Sequence, residues 1–139
     1  MTVRRFVDTN ILLYAHDRDA PAKQAVALRL WQTWLQEPGE TALSVQVLQE
    51  LHANLTRKGR SRAEANAIVR DLYGLPVVEN TLELFDAALT AQERWQLSLW
   101  DAMILAAAQV SGATELITED FNAGQDYGGV VARNPFAGA

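Results

Sequence analysis

Four acidic residues fall where an apolar strand is expected to hand over to a helix or loop, and they carry the chemistry open to this chain. Asp8 stands in Phe6-Val7-Asp8-Thr9-Asn10, and Glu50 closes Ser44-Val45-Gln46-Val47-Leu48-Gln49-Glu50. Asp101 stands in Ser98-Leu99-Trp100-Asp101-Ala102, and Asp120 in Ile117-Thr118-Glu119-Asp120-Phe121. Three of the four adjoin apolar runs, where an uncompensated carboxylate is costly. Carboxylates that converge repel one another, and a hard divalent cation with oxygen ligands relieves the repulsion. The pattern points to a metal-dependent enzyme.

Around those acids, the totals exclude several classes. At 139 residues the chain is expected to be one domain, 1–139, large enough to bury a proper core. The absence of cysteine removes disulfides, thiolate zinc sites and thiol nucleophiles together. Two histidines, His16 and His52, are too few for a histidine-rich zinc site. Arg4-Arg5 is followed by two apolar residues and then Asp8, which is no signal peptide. The longest apolar run, Ala102 to Ala108, is too short to span a membrane, so a cytoplasmic protein is expected. A net charge of −5 argues against nucleic acid, except where a metal neutralises acids and basic residues cluster locally.

The elements that must position the acids alternate. Arg4 to Val7 reads as a first strand and Asn10 to Ala15 as a helix. Asp19 is expected to cap a second helix with Pro21 in its first turn, running to Pro38-Gly39. Thr41 to Leu43 is a strand, and Ser44 caps a helix reaching Lys58-Gly59. Ser61-Arg62-Ala63-Glu64 is a capping box for a helix closed by Gly74. Leu75 to Val78 is a third strand, placed at an edge or a strand start by Pro76. Thr81 caps a helix to Trp95, and an apolar helix spans Ser98 to Val110 with Gly112 beyond it. Glu115 to Thr118 and Val130 to Ala132 complete a five-stranded α/β fold on a parallel sheet. In such sheets ligands bind beyond the carboxyl ends of the strands, where strand order reverses. Asp8 and Asp120 meet there if the first and fourth strands are neighbours, and helix starts bring in Glu50 and Asp101.

Each acid has a plainer role open to it. Asp8 could be a helix N-cap, Asp101 a first-turn acid in a capping box, Glu50 a solvated helix residue and Asp120 a turn acid. The run from Ala102 to Ala108 has no polar face, so its helix should be buried all round, with Asp101 turned into a cleft.

Taken together the motifs resemble those of PIN-domain ribonucleases of the VapC type, the toxin half of bacterial toxin–antitoxin pairs. The stretches that carry the likeness are Phe6 to Ala15, Ser44 to Leu51, Ser98 to Ala108, and Leu116 to Phe121 running on through Gly124-Gln125 to Asn134-Pro135-Phe136. The resemblance implies a three-layer α/β/α sandwich with strand order 3-2-1-4-5 and an acidic pocket for Mg²⁺ or Mn²⁺. It makes Asp8, Glu50, Asp101 and Asp120 the metal and catalytic acids, with Glu119 less clearly one of them. Thr9, Asn10, Ser98 and Thr118 would orient those carboxylates. It further implies an RNA substrate, an antitoxin partner and a homodimer.

RNA cleavage needs an activated water and stabilised phosphate charge, which metal ions supply. Arg57, Lys58, Arg60 and Arg62 are the best local phosphate-binding cluster, Arg57 ~10 Å from Glu50 along one helix, although a solvated helix end is the plainer explanation of them. Trp31 and Trp34 read as core or, if exposed, as anchors for a partner helix. A phosphoacceptor receiver would want a lysine after a late strand, and Lys23 and Lys58 both lie on early helices. A nucleotide enzyme lacks its Gly-rich loop. The remaining alternative is a catalytically silent binding module that keeps the fold.

Overall fold

A computed structural model describes residues 2–137 of the chain. The first strand, β1 (Arg5–Val7), buries Phe6 and Val7 completely and ends on Asp8, which caps α1 (Thr9–Tyr14). A long helix α2 (Pro21–Gln36) follows, then a short 3₁₀ turn (Pro38–Glu40) and β2 (Thr41–Ser44). Ser44 caps α3 (Val45–Arg57) by accepting from the Val47 N–H. Ser61 caps α4 (Arg62–Arg70) in the expected box, its hydroxyl also donating to Glu64. That helix stops four residues early, and a 3₁₀ turn (Asp71–Gly74) carries the chain to β3 (Val77–Val78). Helices α5 (Leu82–Trp95) and α6 (Leu99–Ser111) lead to β4 (Glu115–Ile117) and β5 (Val131–Arg133).

The sheet order is β3-β2-β1-β4-β5 and every pairing is parallel. Phe6 lies opposite Ala42 on one side and Leu116 on the other. The first two crossovers run from β1 outward to β2 and β3, and the third returns past β1 to β4. With right-handed crossovers, α1 to α4 then cover one face and α5 with α6 the other. The packing agrees: α1 meets α2 and α3, α3 meets α4, and α5 lies along α6. This is the expected three-layer α/β/α sandwich, with β3 at the edge and Pro76 immediately before its first residue, so both of the places open to that proline are met.

The helix α6 lies against four strands, and every residue from Ala102 to Ala108 is buried. Its alanines let α5 and the sheet approach closely, so a larger side chain there would overpack by about 1–3 kcal/mol. Trp34 is core, 4% exposed, and Trp31 packs partly buried against it, so neither is an exposed anchor. One local expectation fails. Ala20, not Asp19, is the N-cap of α2 and makes no side-chain cap bond. Asp19 instead gives its N–H to the Asp17 carboxylate at 3.0 Å, forming a turn before the helix rather than a cap.

Candidate active site

β1 and β4 are neighbours, and the connections leave them in opposite directions, so the cleft between their carboxyl ends is the switch point of the sheet. Asp8 leaves β1 with its N–H on the Ile117 carbonyl at 3.0 Å. Its side chain is 6% exposed. One oxygen accepts from the Thr9 N–H at 2.7 Å and the other from the Thr118 hydroxyl at 2.9 Å. Asp8 is therefore a helix cap and a buried acid at once. Burial pushes its pKa up to about 7 against the pull of those two hydrogen bonds, and the charges of Asp120 and Glu50 raise it further.

Glu50 reaches the same place from the second turn of α3. Its carboxylate accepts from the Thr9 hydroxyl at 3.0 Å and from the Gln46 amide at 3.3 Å. The same Gln46 amide donates to the Trp100 carbonyl at 3.3 Å, tying α3 to the first turn of α6. Asp101 is the third residue of α6, its N–H capped by the Ser98 hydroxyl at 3.1 Å. Its pKa is raised first by burial and then by the charge of Asp120, with the Ser98 hydroxyl opposing and Glu50 adding to the rise. Asp120 is exposed, with its N–H on the Thr118 hydroxyl at 3.1 Å and its carboxylate 3.4 Å from the Asn10 amide. The four acids thus share one electrostatic neighbourhood, and Thr9, Asn10, Ser98 and Thr118 each bond to one of them or to its backbone.

Sequence reasoning missed Gln46. It is 6% exposed, and a buried amide four residues before Glu50 on one helix is the signal that could have found it. Glu119 turns away from this cluster: Tyr14 donates to it at 2.7 Å and Lys23 pairs with it at 2.9 Å. The basic cluster is partly spoken for as well. Lys58 pairs with Asp17 at 3.2 Å, while Arg60 pairs with Glu64 and donates to the His16 carbonyl, both at 3.3 Å. Arg57 bonds Asn54 one turn back, and Arg62 is exposed at the start of α4.

None of the four acids joins an ion pair among the described residues. Nor do three metal-type side chains there close into a ready ligand cluster, as expected where like charges face each other without a counter-charge. The donor set nevertheless fits a hard cation. It is all carboxylate oxygen, and the Asp8 charge is held in a buried place where no basic side chain compensates it. Among the described residues no helix is long and apolar enough to cross a membrane.

Known proteins of the same shape bring the chain's lineage into view. The Mycobacterium tuberculosis toxin VapC20, described as cleaving the sarcin–ricin loop, is 26% identical over 85% of this chain and 91% of its own, with a TM-score of 0.69. A Klebsiella pneumoniae toxin–antitoxin complex contains a chain 23% identical, covering 94% of this one and 97% of its own at a TM-score of 0.67. The DNA-bound VapBC complex of Salmonella typhimurium has a chain with the same fold at 13% identity, covering 96% and 99% at a TM-score of 0.68. No curated protein matches significantly in sequence. The family model described as "PIN domain" matches residues 5–125, which takes in β1 through the loop beyond β4 and all four acids. By that match, and by the strand order that carries the acids to one cleft, the chain belongs to the PIN-domain family.

Proposed function

We propose that this protein is a metal-dependent endoribonuclease and the toxin of a bacterial type II toxin–antitoxin pair, acting in the cytoplasm as a single PIN domain over residues 1–139. The observation that carries it is the buried Asp8 carboxylate at the switch point, with the charges of Glu50 and Asp120 acting on it and on Asp101's surroundings. Asp8 and Asp101 are the principal ligands for Mg²⁺ or Mn²⁺, and Glu50 and Asp120 complete the site directly or through water. When bound, the cation supplies an activated water and neutralises developing phosphate charge. The chain's own part is to hold oxygens in place. Thr118 and the Thr9 N–H fix both oxygens of Asp8, Thr9 and Gln46 fix Glu50, and Ser98 fixes the turn that presents Asp101. The acidic cleft repels RNA until its charge is neutralised, which makes metal loading part of substrate binding.

Cleavage of RNA by the purified protein, in Mn²⁺ or Mg²⁺ against a chelator, tests the proposal, with Asp8→Asn as the inactive control. Metal-dependent cleavage lost in Asp8→Asn is expected. Equal cleavage by both proteins would remove Asp8 from the metal site, and none by either would favour the silent binding module. The toxin assignment is supported by the VapC20 and VapBC neighbours. It predicts a small antitoxin that copurifies when its reading frame is coexpressed, and a homodimer by light scattering.

A further inference from the structure

The tail motif Asn134-Pro135-Phe136 and the acid Glu119 take no part in the site described above, yet they meet at one place beside it. Phe136 is buried, its N–H held by the Asn134 side chain at 2.9 Å. Its ring packs edge-on to Tyr14, with centroids 5.1 Å apart and planes at 78°. The Lys23 ammonium lies over both rings, 4.7 Å from the Tyr14 centroid and 5.5 Å from that of Phe136. That ammonium pairs with one Glu119 oxygen at 2.9 Å, while the Tyr14 hydroxyl donates to the other at 2.7 Å. Both Glu119 oxygens are therefore occupied.

Glu119 precedes Asp120 in a stretch with no regular secondary structure, between β4 and β5. Asp120 is exposed, and the only described hydrogen bond to its carboxylate is the long one from Asn10 at 3.4 Å. Its aim depends on how the backbone on either side is held. Thr118 fixes the Asp120 N–H and buried Phe121, edge-on to Tyr127, anchors the residue after it, while Glu119 adds a side-chain hold on the residue before it. An isolated surface ion pair would do this weakly. Here the pair is partly covered, with Lys23 32% and Glu119 18% exposed, and two aromatic rings strengthen the hold on the ammonium.

We propose that Phe136, Lys23, Tyr14 and Glu119 form a clamp that positions Asp120, so that the C-terminal tail sets metal affinity from outside the ligand set. The clamp rests on the metal-dependent function proposed above, and its members are positioning residues. Lys23→Met separates this from simple electrostatics. Removing a positive charge beside an acidic cleft should by itself tighten cation binding, whereas loosening the clamp should weaken it.

The assay is thermal melting across a Mn²⁺ titration of the whole protein. In Lys23→Met and Phe136→Ala the half-saturating Mn²⁺ concentration should rise about tenfold, the low end of the cost of losing a ligand's supporting partners. The conservative Lys23→Arg and Phe136→Tyr should stay near wild type. So should Arg133→Gln, which breaks an unrelated exposed ion pair with Glu115. At saturating metal, kcat and KM for RNA should be unchanged. If Phe136→Ala does not fold, Lys23→Met carries the result alone. An unchanged or tighter Mn²⁺ midpoint in Lys23→Met overturns the clamp. No Mn²⁺ response in the wild type overturns the metal site itself, and the clamp with it.

Discussion

Metal-free protein should lose stability as pH rises through the range where most proteins are steady. Asp8 ionises at about 7 in the folded state against an ordinary 3.8. Between those values the unfolded chain has shed the proton and the folded chain keeps it, so the folded state binds more protons and stability falls with rising pH. The loss is absent below the ordinary value and complete above about 7. At ~1.4 kcal/mol per tenfold in the protonation equilibrium, the whole rise amounts to on the order of 4 kcal/mol. For a chain of this length that is a fall in Tm on the order of 10 °C. Asp101, shifted the same way by burial, adds to it. His16 opposes it, because burial and Arg60 lower its pKa and make the folded state gain stability as pH rises. The difference between wild type and Asp8→Asn isolates the Asp8 contribution, since asparagine keeps the helix cap and cannot ionise. The experiment is a set of melts from pH 4.5 to 8 in chelator, repeated in millimolar Mn²⁺. The variant should be the more stable protein at pH 7.5 without metal, and the gap should close or reverse with metal. If the two proteins show the same pH dependence in chelator, Asp8 is not a desolvated acid and the argument from its burial is wrong.

The other expectations concern the remaining acids and their supports. Asp101→Asn should lower cleavage by about 10²-fold or more while leaving the far-ultraviolet spectrum unchanged, and Glu50→Gln should cost less; wild-type rates in either would remove that residue from the site. Gln46→Leu should reduce activity by about tenfold, because it removes one of the two bonds that hold Glu50 and the tie from α3 to the Trp100 carbonyl, and single-turnover kinetics on saturating RNA would show the loss in the chemical step. For the basic cluster, Arg57→Gln with Arg62→Gln should lower the slope of log binding constant against log salt by about 1–2 on single-stranded RNA. Lys58→Gln should act mainly on Tm by breaking the pair with Asp17, and an unaltered salt slope in the Arg57/Arg62 double variant would assign these arginines to plain helix-end solvation.

What the sequence made legible divides along a physical line. The alternation of strands and helices, and the acids at their junctions, could be read because strand, cap and apolar-run signals are local, whereas the strand order came from the family resemblance. Ser44, Ser61, Thr81 and Ser98 all cap where their hydroxyls were expected to. Asp19 misled because an acid two residues before a proline serves a turn as well as a cap, and only the surrounding backbone decides between them. Glu119 and Asp120 are adjacent and chemically alike. Their division of labour depends on Lys23 and Tyr14, which lie about a hundred residues earlier in the chain and leave no mark in the local pattern. Gln46 was hidden for the same reason: its second partner, the Trp100 carbonyl, belongs to another helix.

The bond between Asp8 and Thr118 joins positions 110 residues apart. A ribosome making roughly 5–20 residues each second needs about 5–20 s to cover that interval, so the first acid emerges long before the hydroxyl that seats it. β1, β2 and β3 with their helices precede β4 in synthesis, and the half-made chain presents Asp8 with no Thr118 beside it. The half-made chain therefore lacks both Thr118 and Asp120 of the proposed site until its last strands are translated. On the proposed function, the acidic site is thus among the last features of the molecule to be completed as it is made.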